Sequence, residues 1–284
     1  MSSNTTSTVS RRVVLTAGAA STLALTFGST AVAADSQHPK RHFRFGSFNI
    51  HHGADADQTV DFERIARIIE RLRLDAVGLQ EVDRFFARSD FVDQPAWFAD
   101  RLNMSAVFGA NLVDAPQGPG RPNAEFGTAI LSKAPIIEWE NTLLPRKGDH
   151  EQRGLLRARI PAGHGEMDFY TTHLQHDDTA EREQQARTIV ELARDRREPC
   201  ILTGDLNDEP GSSTHEILAD EFDDAWLKAG RGDENTFPVE SPTKRIDYIW
   251  SRGVRPVSVR VDHHDPTASD HLPVAGRFVL KRRG

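Results

Sequence analysis

An apolar run that ends in carboxylate and carboxamide side chains is the feature of this sequence that most constrains its fold. Residues 199–203 are largely apolar and lead directly into Gly204, Asp205 and, two residues later, Asn207. Such a run bounded by turn-forming residues is typical of a buried strand. Acidic oxygens just past its end are natural ligands for a hard divalent cation and can position a water molecule. Gly-Asp-x-Asn alone also fits an ordinary turn, so the interpretation depends on its companions.

Further segments repeat this pattern, with polar side chains near the edges of strand-like runs. The first run ends at Asn49, the second at Glu81 and a later one at His173. Asp247 lies within a largely apolar run, and Asp270-His271 adds a histidine, which can carry protons. Two plainer interpretations remain open: a solvated strand-end Glu81, and a His173 that is bonded to backbone in the core.

The order Asn, Glu, His, Asp-x-Asn, Asp and Asp-His closely resembles the endonuclease/exonuclease/phosphatase (DNase I-like) superfamily, in particular a bacterial secreted branch. The resemblance covers roughly residue 42 to the C-terminus. One motif would be weak, whereas five in the family's order are specific. The resemblance implies an α/β fold, the four-layer α/β/β/α sandwich of two packed mixed β-sheets flanked by helices, with the site at one edge of the sheets.

The resemblance also implies a metal site. It assigns Glu81 as the main Mg²⁺ ligand, with Asn49 beside it through an oxygen or a bound water, and Asp270 completing the shell. Mg²⁺ retains several waters and needs few carboxylates, so this small ligand set is chemically reasonable. Mn²⁺ is an acceptable substitute, and Ca²⁺ is a further alternative.

The catalytic roles follow from the same resemblance. It pairs Asp247 with His271, and such pairing raises the pKa of a histidine and fixes its tautomer. Asp205 and His271 both remain candidates for activating the attacking water. Asn207 is expected to hold that water or a phosphate oxygen, and His173 to donate to the phosphoryl oxygen or protonate the leaving group.

Arginine and histidine residues outside these motifs allow weaker predictions. Arg153 starts a strand after a polar loop, where it is placed either to bind a substrate phosphate or to form a surface salt bridge. His51 and His52 are interpreted as loop or rim residues, because no cysteine or HExxH-like spacing supports a zinc site.

Hydrophobic periodicity predicts interspersed helices and strands. Helices are expected over 62–72, around 95–99, from a capped start at Asp178 and near 215–218, and residues 111–125 are expected to form a loop. Strands are expected from 43, up to Gln80, and over 126–132, 136–143, 155–160, 167–174, 245–250, 255–261 and 273–280.

The N-terminus carries an export pattern. Arg11 and Arg12 precede an apolar run of small residues over 16–34, and Ala31-Val32-Ala33 is a cleavage sequence. The paired arginines resemble a twin-arginine signal, so we expect a secreted or cell-envelope protein. The predicted organisation is a signal peptide over 1–33, a linker over 34–41 and a catalytic domain over 42–284.

Charge narrows the expected substrate. The formal net charge of −7 argues against avid binding of duplex DNA by a broad basic surface.

Taken with the resemblance, these observations lead us to expect a metal-dependent phosphoesterase that hydrolyses phosphodiesters by in-line attack of water, with a lipid headgroup or small diester as the leading substrate. A secreted nuclease is the runner-up. An inositol-phosphate phosphatase ranks lower because the sequence has no evident dense Lys/Arg cluster, and a catalytically silent binding module ranks lowest. No obligate protein partner is evident, and a monomer is expected.

Overall fold

Two pairs of parallel strands organise the fold. In a computed structural model that describes residues 42–163, 165–196 and 198–280, β1 (Phe43–Asn49) pairs in parallel with β2 (Ala76–Arg84). The connection between them carries α1 (Phe62–Leu72). Likewise β7 (Gly165–His173) pairs in parallel with β8 (Cys200–Asp205). Parallel neighbours require a crossover, and the long helix between β7 and β8 supplies the second one.

Each parallel pair lies at the centre of a six-stranded mixed sheet. The strand order is β11-β12-β1-β2-β4-β3 in the first sheet and β5-β6-β7-β8-β10-β9 in the second. All other neighbouring strands are antiparallel. The remaining strands are β3 (Ser105–Asp114), β4 (Ala124–Ser132), β5 (Glu138–Leu143), β6 (Gly154–Ala162), β9 (Asp223–Asp224), β10 (Asp247–Arg252), β11 (Val254–Val261) and β12 (Val274–Leu280).

Three apolar clusters hold the layers together. One lies between the sheets and contains Phe45, Phe169 and Phe278, all fully buried. A second joins α1 and α2 to the first sheet, and a third joins α3 and α4 to the second sheet. The predicted four-layer α/β/β/α sandwich is therefore confirmed. The remaining helices are α2 (Gln94–Leu102), α3 (Thr179–Arg194), α4 (Ser213–Ala219) and α5 (Ala225–Ala229).

The predicted loop over 111–125 is wrong at both ends. β3 runs on to Asp114, and β4 begins at Ala124. β3 is the edge strand of its sheet, much of it is half-exposed, and its register shifts between Ala110 and Leu112. An edge strand with such a bulge lacks the clean alternation that identifies a strand in a sequence.

The predicted signal peptide and linker lie outside the described residues. Among the helices of the described ranges, none is both long and apolar enough to cross a lipid bilayer.

The two sheets approach closely at Gly78 of β2. A Cβ atom there would lie 2.1 Å from Thr203 Oγ1 and 2.5 Å from Thr171 Oγ1, both on the second sheet. The next polar contact along β2 also crosses between the sheets, because Gln80 Nε2 donates to Thr171 Oγ1 at 2.8 Å. Sheet packing therefore requires a glycine at position 78. The distance between the two sheets near the strand ends depends on the absence of a side chain there.

We predict that Gly78→Ala lowers the free energy of unfolding by about 1–3 kcal/mol, the usual cost of overpacking a closed core. Urea unfolding followed by circular dichroism measures this change. Gly165→Ala is the control, because no atom lies within 4 Å of its added Cβ. Equal urea midpoints for the two variants would contradict the prediction, because they would show that the two sheets can move apart at Gly78 without loss of stability.

Candidate active site

The polar side chains predicted from strand ends meet at one edge of the sandwich. β8 lies between β7 and β10, so Asp205 is in register with His173 on one side and with Asp247 on the other. From the first sheet, Asn49 ends β1 and Glu81 lies in the adjacent β2. The two parallel pairs thus direct groups from both sheets to the same edge.

Asn49 connects the two sheets at this edge. Its Nδ2 donates to Glu81 Oε1 at 2.9 Å and to Asp205 Oδ2 at 3.0 Å. Its Oδ1 accepts from the backbone N–H of His51 at 3.1 Å. Glu81 has a φ of +56° at a register shift between Leu79 and Val82. Such a bulge re-aims a side chain, which accounts for how a residue within β2 reaches the strand-end cluster.

Asp247 and His271 form the predicted pair. His271 Nδ1 lies 2.9 Å from Asp247 Oδ2, and both residues are almost fully buried. The opposite ring nitrogen, Nε2, lies 3.6 Å from Asp205 Oδ2. Ser269 anchors the loop by donating to the carbonyl of Asn49 at 2.8 Å. The imidazole is thereby held between two carboxylates.

Burial and mutual charge shift the pKa values of this group. Burial, followed by the negative charge of Asp247, raises the pKa of Asp205 above the usual carboxyl range. Burial lowers the pKa of His271, but the carboxylates of Asp247 and Asp205 outweigh it and raise that pKa. Burial and the positive charge of Arg153 hold the pKa of His173 well below its ordinary value. At this edge, the imidazole of His173 therefore favours the neutral form, whereas that of His271 favours the protonated form.

Asn207 orients His173. Its Nδ2 lies 3.0 Å from His173 Nε2 and donates to the Leu174 carbonyl at 3.0 Å. Because Nδ2 can only donate, His173 Nε2 accepts and the ring proton lies on Nδ1. His173 Nε2 is also 3.6 Å from Asp205 Oδ2. The φ of +50° at Asn207 is one that asparagine tolerates better than most residues.

The cluster opens into a cleft of about 470 Å³. Arg153 lines it and is only 3% exposed; its Nη1 pairs with Glu151 Oε1 at 2.7 Å, and its Nε is buried without a partner among the described residues. Arg88 also lines the cleft but is held on Asp83 by two hydrogen bonds of 2.8 and 2.7 Å. The salt bridge considered for Arg153 exists, but it is buried at the site.

His51 and His52 lie closer to the site than the sequence interpretation placed them. They open a one-turn 3-10 helix with φ of +44° and +47°, and ligand atoms of both rings and of Glu81 lie within 4.8 Å of one another. His52 is 6% exposed, so it is not a rim residue. The signal that could have indicated this was their position two and three residues after Asn49. Asp270 contributes to the same edge, with Oδ1 at 3.9 Å from His51 Nδ1.

Acidic and imidazole groups at the edge of such a sandwich define a hydrolase of phosphate esters. The chain belongs to the Endonuclease/Exonuclease/phosphatase family, whose model matches residues 46–271. Members of this family are metal-dependent hydrolases that act on phosphoester bonds. The resemblance to this superfamily that the sequence showed is therefore confirmed.

Individual relatives share the fold over most of this chain. An endonuclease/exonuclease/phosphatase from Beutenbergia cavernae is 26% identical, with a TM-score of 0.72 over 85% of this chain and 72% of the other. The Bacteroides thetaiotaomicron mannosyl-6-phosphatase Bt3783 is 20% identical, with a TM-score of 0.67 over 84% of this chain and 100% of the other. Protein cwh43 of Schizosaccharomyces pombe is 25% identical over 86% of this chain, which spans only 23% of that relative's length.

We predict that Asp247→Asn lowers the pKa of His271, because Asp247 contributes most to raising it. A proton NMR titration of the imidazole resonances in the presence of a chelator measures the change. Glu216→Gln, which removes an exposed carboxylate on α4, is the control variant and should leave the His271 resonances unchanged. An unaltered His271 titration would mean that the pair does not set its charge.

Proposed function

We propose that this chain is a Mg²⁺-dependent phosphodiesterase. One observation carries the proposal: Asp205 Oδ2 lies 3.0 Å from Asn49 Nδ2 and 3.6 Å from the Nε2 atoms of both His173 and His271. A carboxylate, two imidazoles of different charge and an amide thus surround one point from two sheets. Several groups around one point are what general acid–base catalysis at a phosphate requires.

The donor set fits a divalent cation. Glu81 and Asp270 supply carboxylate oxygens at the cleft, and the buried Nδ1 of His51 has no hydrogen-bond partner among the described residues. When bound, the ion would be held by Glu81 and Asp270, with Asn49 and His51 beside them, and it would offset negative charge on the phosphoryl oxygens. The same carboxylate and amide oxygens are also compatible with Mn²⁺.

The residues of the second sheet are proposed to move protons. Asp205 accepts the proton of the attacking water, and its hydrogen bond from Asn49 fixes the oxygen that does so. His271, held by Asp247, donates its Nε2 proton to the leaving oxygen as the P–O bond breaks, and Asn207, which donates to His173 Nε2, holds that imidazole beside the reacting group. The Phe237 ring, with its centroid 4.7 Å from that of His271, covers the imidazole on one face.

Charge in the cleft favours a small substrate. The lining includes two arginines and five carboxylates, the latter being Glu81, Asp114, Glu151, Asp205 and Asp270. A cleft with this balance repels a long polyanion such as duplex DNA, whereas a single diester needs only the ion and one cation. The guanidinium of Arg153, which lines the cleft and shares its charge with Glu151, is the proposed cation. A lipid headgroup or a small soluble diester is therefore the proposed substrate class.

The activity prediction uses bis-p-nitrophenyl phosphate with Mg²⁺. Glu81→Gln and His271→Ala are each expected to lower kcat by about 100-fold or more, because groups of these kinds contribute on the order of 10²–10⁴-fold to the rate. Glu216→Gln, an exposed glutamate on α4, should retain full activity. Turnover that survives EDTA and both site substitutions would refute the proposed mechanism.

The same preparation tests the substrate class. Phosphatidylinositol vesicles, plasmid DNA and an inositol phosphate are compared under identical metal conditions. A preference for the vesicles or the soluble diester supports the proposal. Faster cleavage of plasmid DNA would instead favour the nuclease alternative, and faster release of phosphate from the monoester would favour a phosphatase.

We also propose that the protein is exported through the twin-arginine pathway, on the basis of Arg11, Arg12 and the cleavage sequence that ends at Ala33. Arg11→Lys/Arg12→Lys is expected to leave uncleaved precursor in the cytoplasm of a bacterial host that has this pathway. Cell fractionation and immunoblotting detect the shift. Arg282→Lys/Arg283→Lys, a matched pair at the C-terminus, should be exported normally. Export of both variants would exclude this route.

A further inference from the structure

A second concave surface carries positive charge and lies outside the candidate active site. This surface, the arginine groove, has a volume of about 760 Å³. No aspartate or glutamate is among the described residues that line it, although acidic residues outnumber basic ones in the chain as a whole. Six arginines line the groove: Arg44, Arg71, Arg73, Arg231, Arg260 and Arg277.

The fold gathers these arginines from five segments. Arg44 on β1 is in register with Arg277 on β12, and β11 contributes Arg260. Arg71 lies in the last turn of α1 and Arg73 caps its C-terminus. The backbone N–H of Arg231 donates to Val259 of β11 at 3.0 Å, which brings the segment after α5 to the same surface.

Among the described residues, only one of the six groove arginines, Arg71, forms an ion pair with a carboxylate. Arg71 is committed to Asp262, to which it donates two hydrogen bonds. Arg277 Nε donates to the Ser258 hydroxyl at 3.1 Å, which leaves its charge in place. Apart from Arg71, the arginines of the groove form no ion pair with a carboxylate of the described ranges.

Arg44 and Arg277 are the most informative pair. Like charges directly opposite on antiparallel strands are destabilising, since their Cβ atoms are roughly 4.5–5.5 Å apart. An anion between the guanidinium groups would offset this repulsion. Arginine is also suited to this role because its planar fork of donors matches phosphate oxygens.

The floor and position of the groove limit what binds there. Buried Leu72, Leu74 and Ala275 form part of its floor, and no aromatic side chain of the described residues lines it. A single-stranded nucleic acid would normally require aromatic stacking platforms. Arg44 and Asn49 are separated by five residues along β1, or about 16 Å, so the groove lies toward the opposite end of this strand from the site.

We propose that the arginine groove binds an anion carrying two or more phosphate groups, either a soluble polyphosphorylated molecule or a phosphorylated lipid headgroup. This binding is independent of the metal site. It needs no divalent cation because the guanidinium groups supply the positive charge.

Isothermal titration of the full-length protein with tripolyphosphate, in the presence of EDTA, tests the proposal. We expect saturable binding that weakens by about tenfold or more in Arg44→Gln/Arg277→Gln, the loss expected for one charge-assisted hydrogen bond. Arg277 is exposed and Arg44 is half-buried, and glutamine keeps much of the length of each side chain, so circular dichroism should remain unchanged and Mg²⁺-dependent diesterase activity should be retained.

Arg187→Gln/Arg255→Gln is the matched control. It removes the same formal charge from exposed positions on α3 and β11 that do not line the groove. Equal weakening in the control, or an absence of tripolyphosphate binding in the parent protein, would overturn the proposal.

Two further probes identify the source of the anion. Phosphatidylcholine vesicles with and without a phosphatidylinositol phosphate are compared with tripolyphosphate. Vesicle binding that depends on Arg44 and Arg277 indicates a lipid headgroup, and binding of tripolyphosphate alone indicates a soluble ligand. A single-stranded oligonucleotide that binds more tightly than tripolyphosphate through the same arginines would replace the proposal by a nucleic-acid surface.

Discussion

The double hydrogen bond from the Asn49 amide is the interaction on which the site depends. Glu81 belongs to the first sheet and Asp205 to the second, and their carboxylates would repel each other if nothing lay between them. The two hydrogens of Asn49 Nδ2 satisfy one oxygen of each. This arrangement requires a fixed distance between the sheets, which the close approach at Gly78 and the Gln80–Thr171 hydrogen bond maintain. The catalytic geometry is therefore a property of sheet packing as much as of individual residues.

The strand-end residues were predictable from the sequence because each interrupts an apolar run. Asp205 ends β8 and Asn49 ends β1, and a parallel pair places such residues at one edge. His51 and His52 were misplaced because their left-handed backbone has no local sequence signal other than Gly53; only their nearness to Asn49 in the sequence indicated that they lie close to the site. Periodicity likewise identified α1 correctly, but it could not identify β3, an irregular edge strand.

The arginine groove could not be recognised in the sequence at all. The sequence lacks a dense Lys/Arg cluster, yet five separate segments bring six arginines together. Strand register creates the central feature, since Arg44 and Arg277 are 233 positions apart in the sequence and directly opposite in the sheet. A net charge of −7 conceals such a surface, because total charge carries no information about its distribution.

The uneven charge distribution explains why the two concave surfaces should differ in their need for metal. The cleft brings five carboxylates toward a substrate that is itself anionic, so binding there needs additional positive charge. The two arginines of the cleft do not fully supply it, because Arg153 is paired with Glu151 and Arg88 with Asp83. The groove has the opposite balance: most of its guanidinium groups lack carboxylate partners among the described residues. On the two proposals made above, a phosphate in the groove would be favoured by fixed protein charge, whereas a phosphate in the cleft would be favoured only when a divalent ion is bound. The same chemical group would then be recognised in two physically different ways, and chelation of divalent ions would separate them.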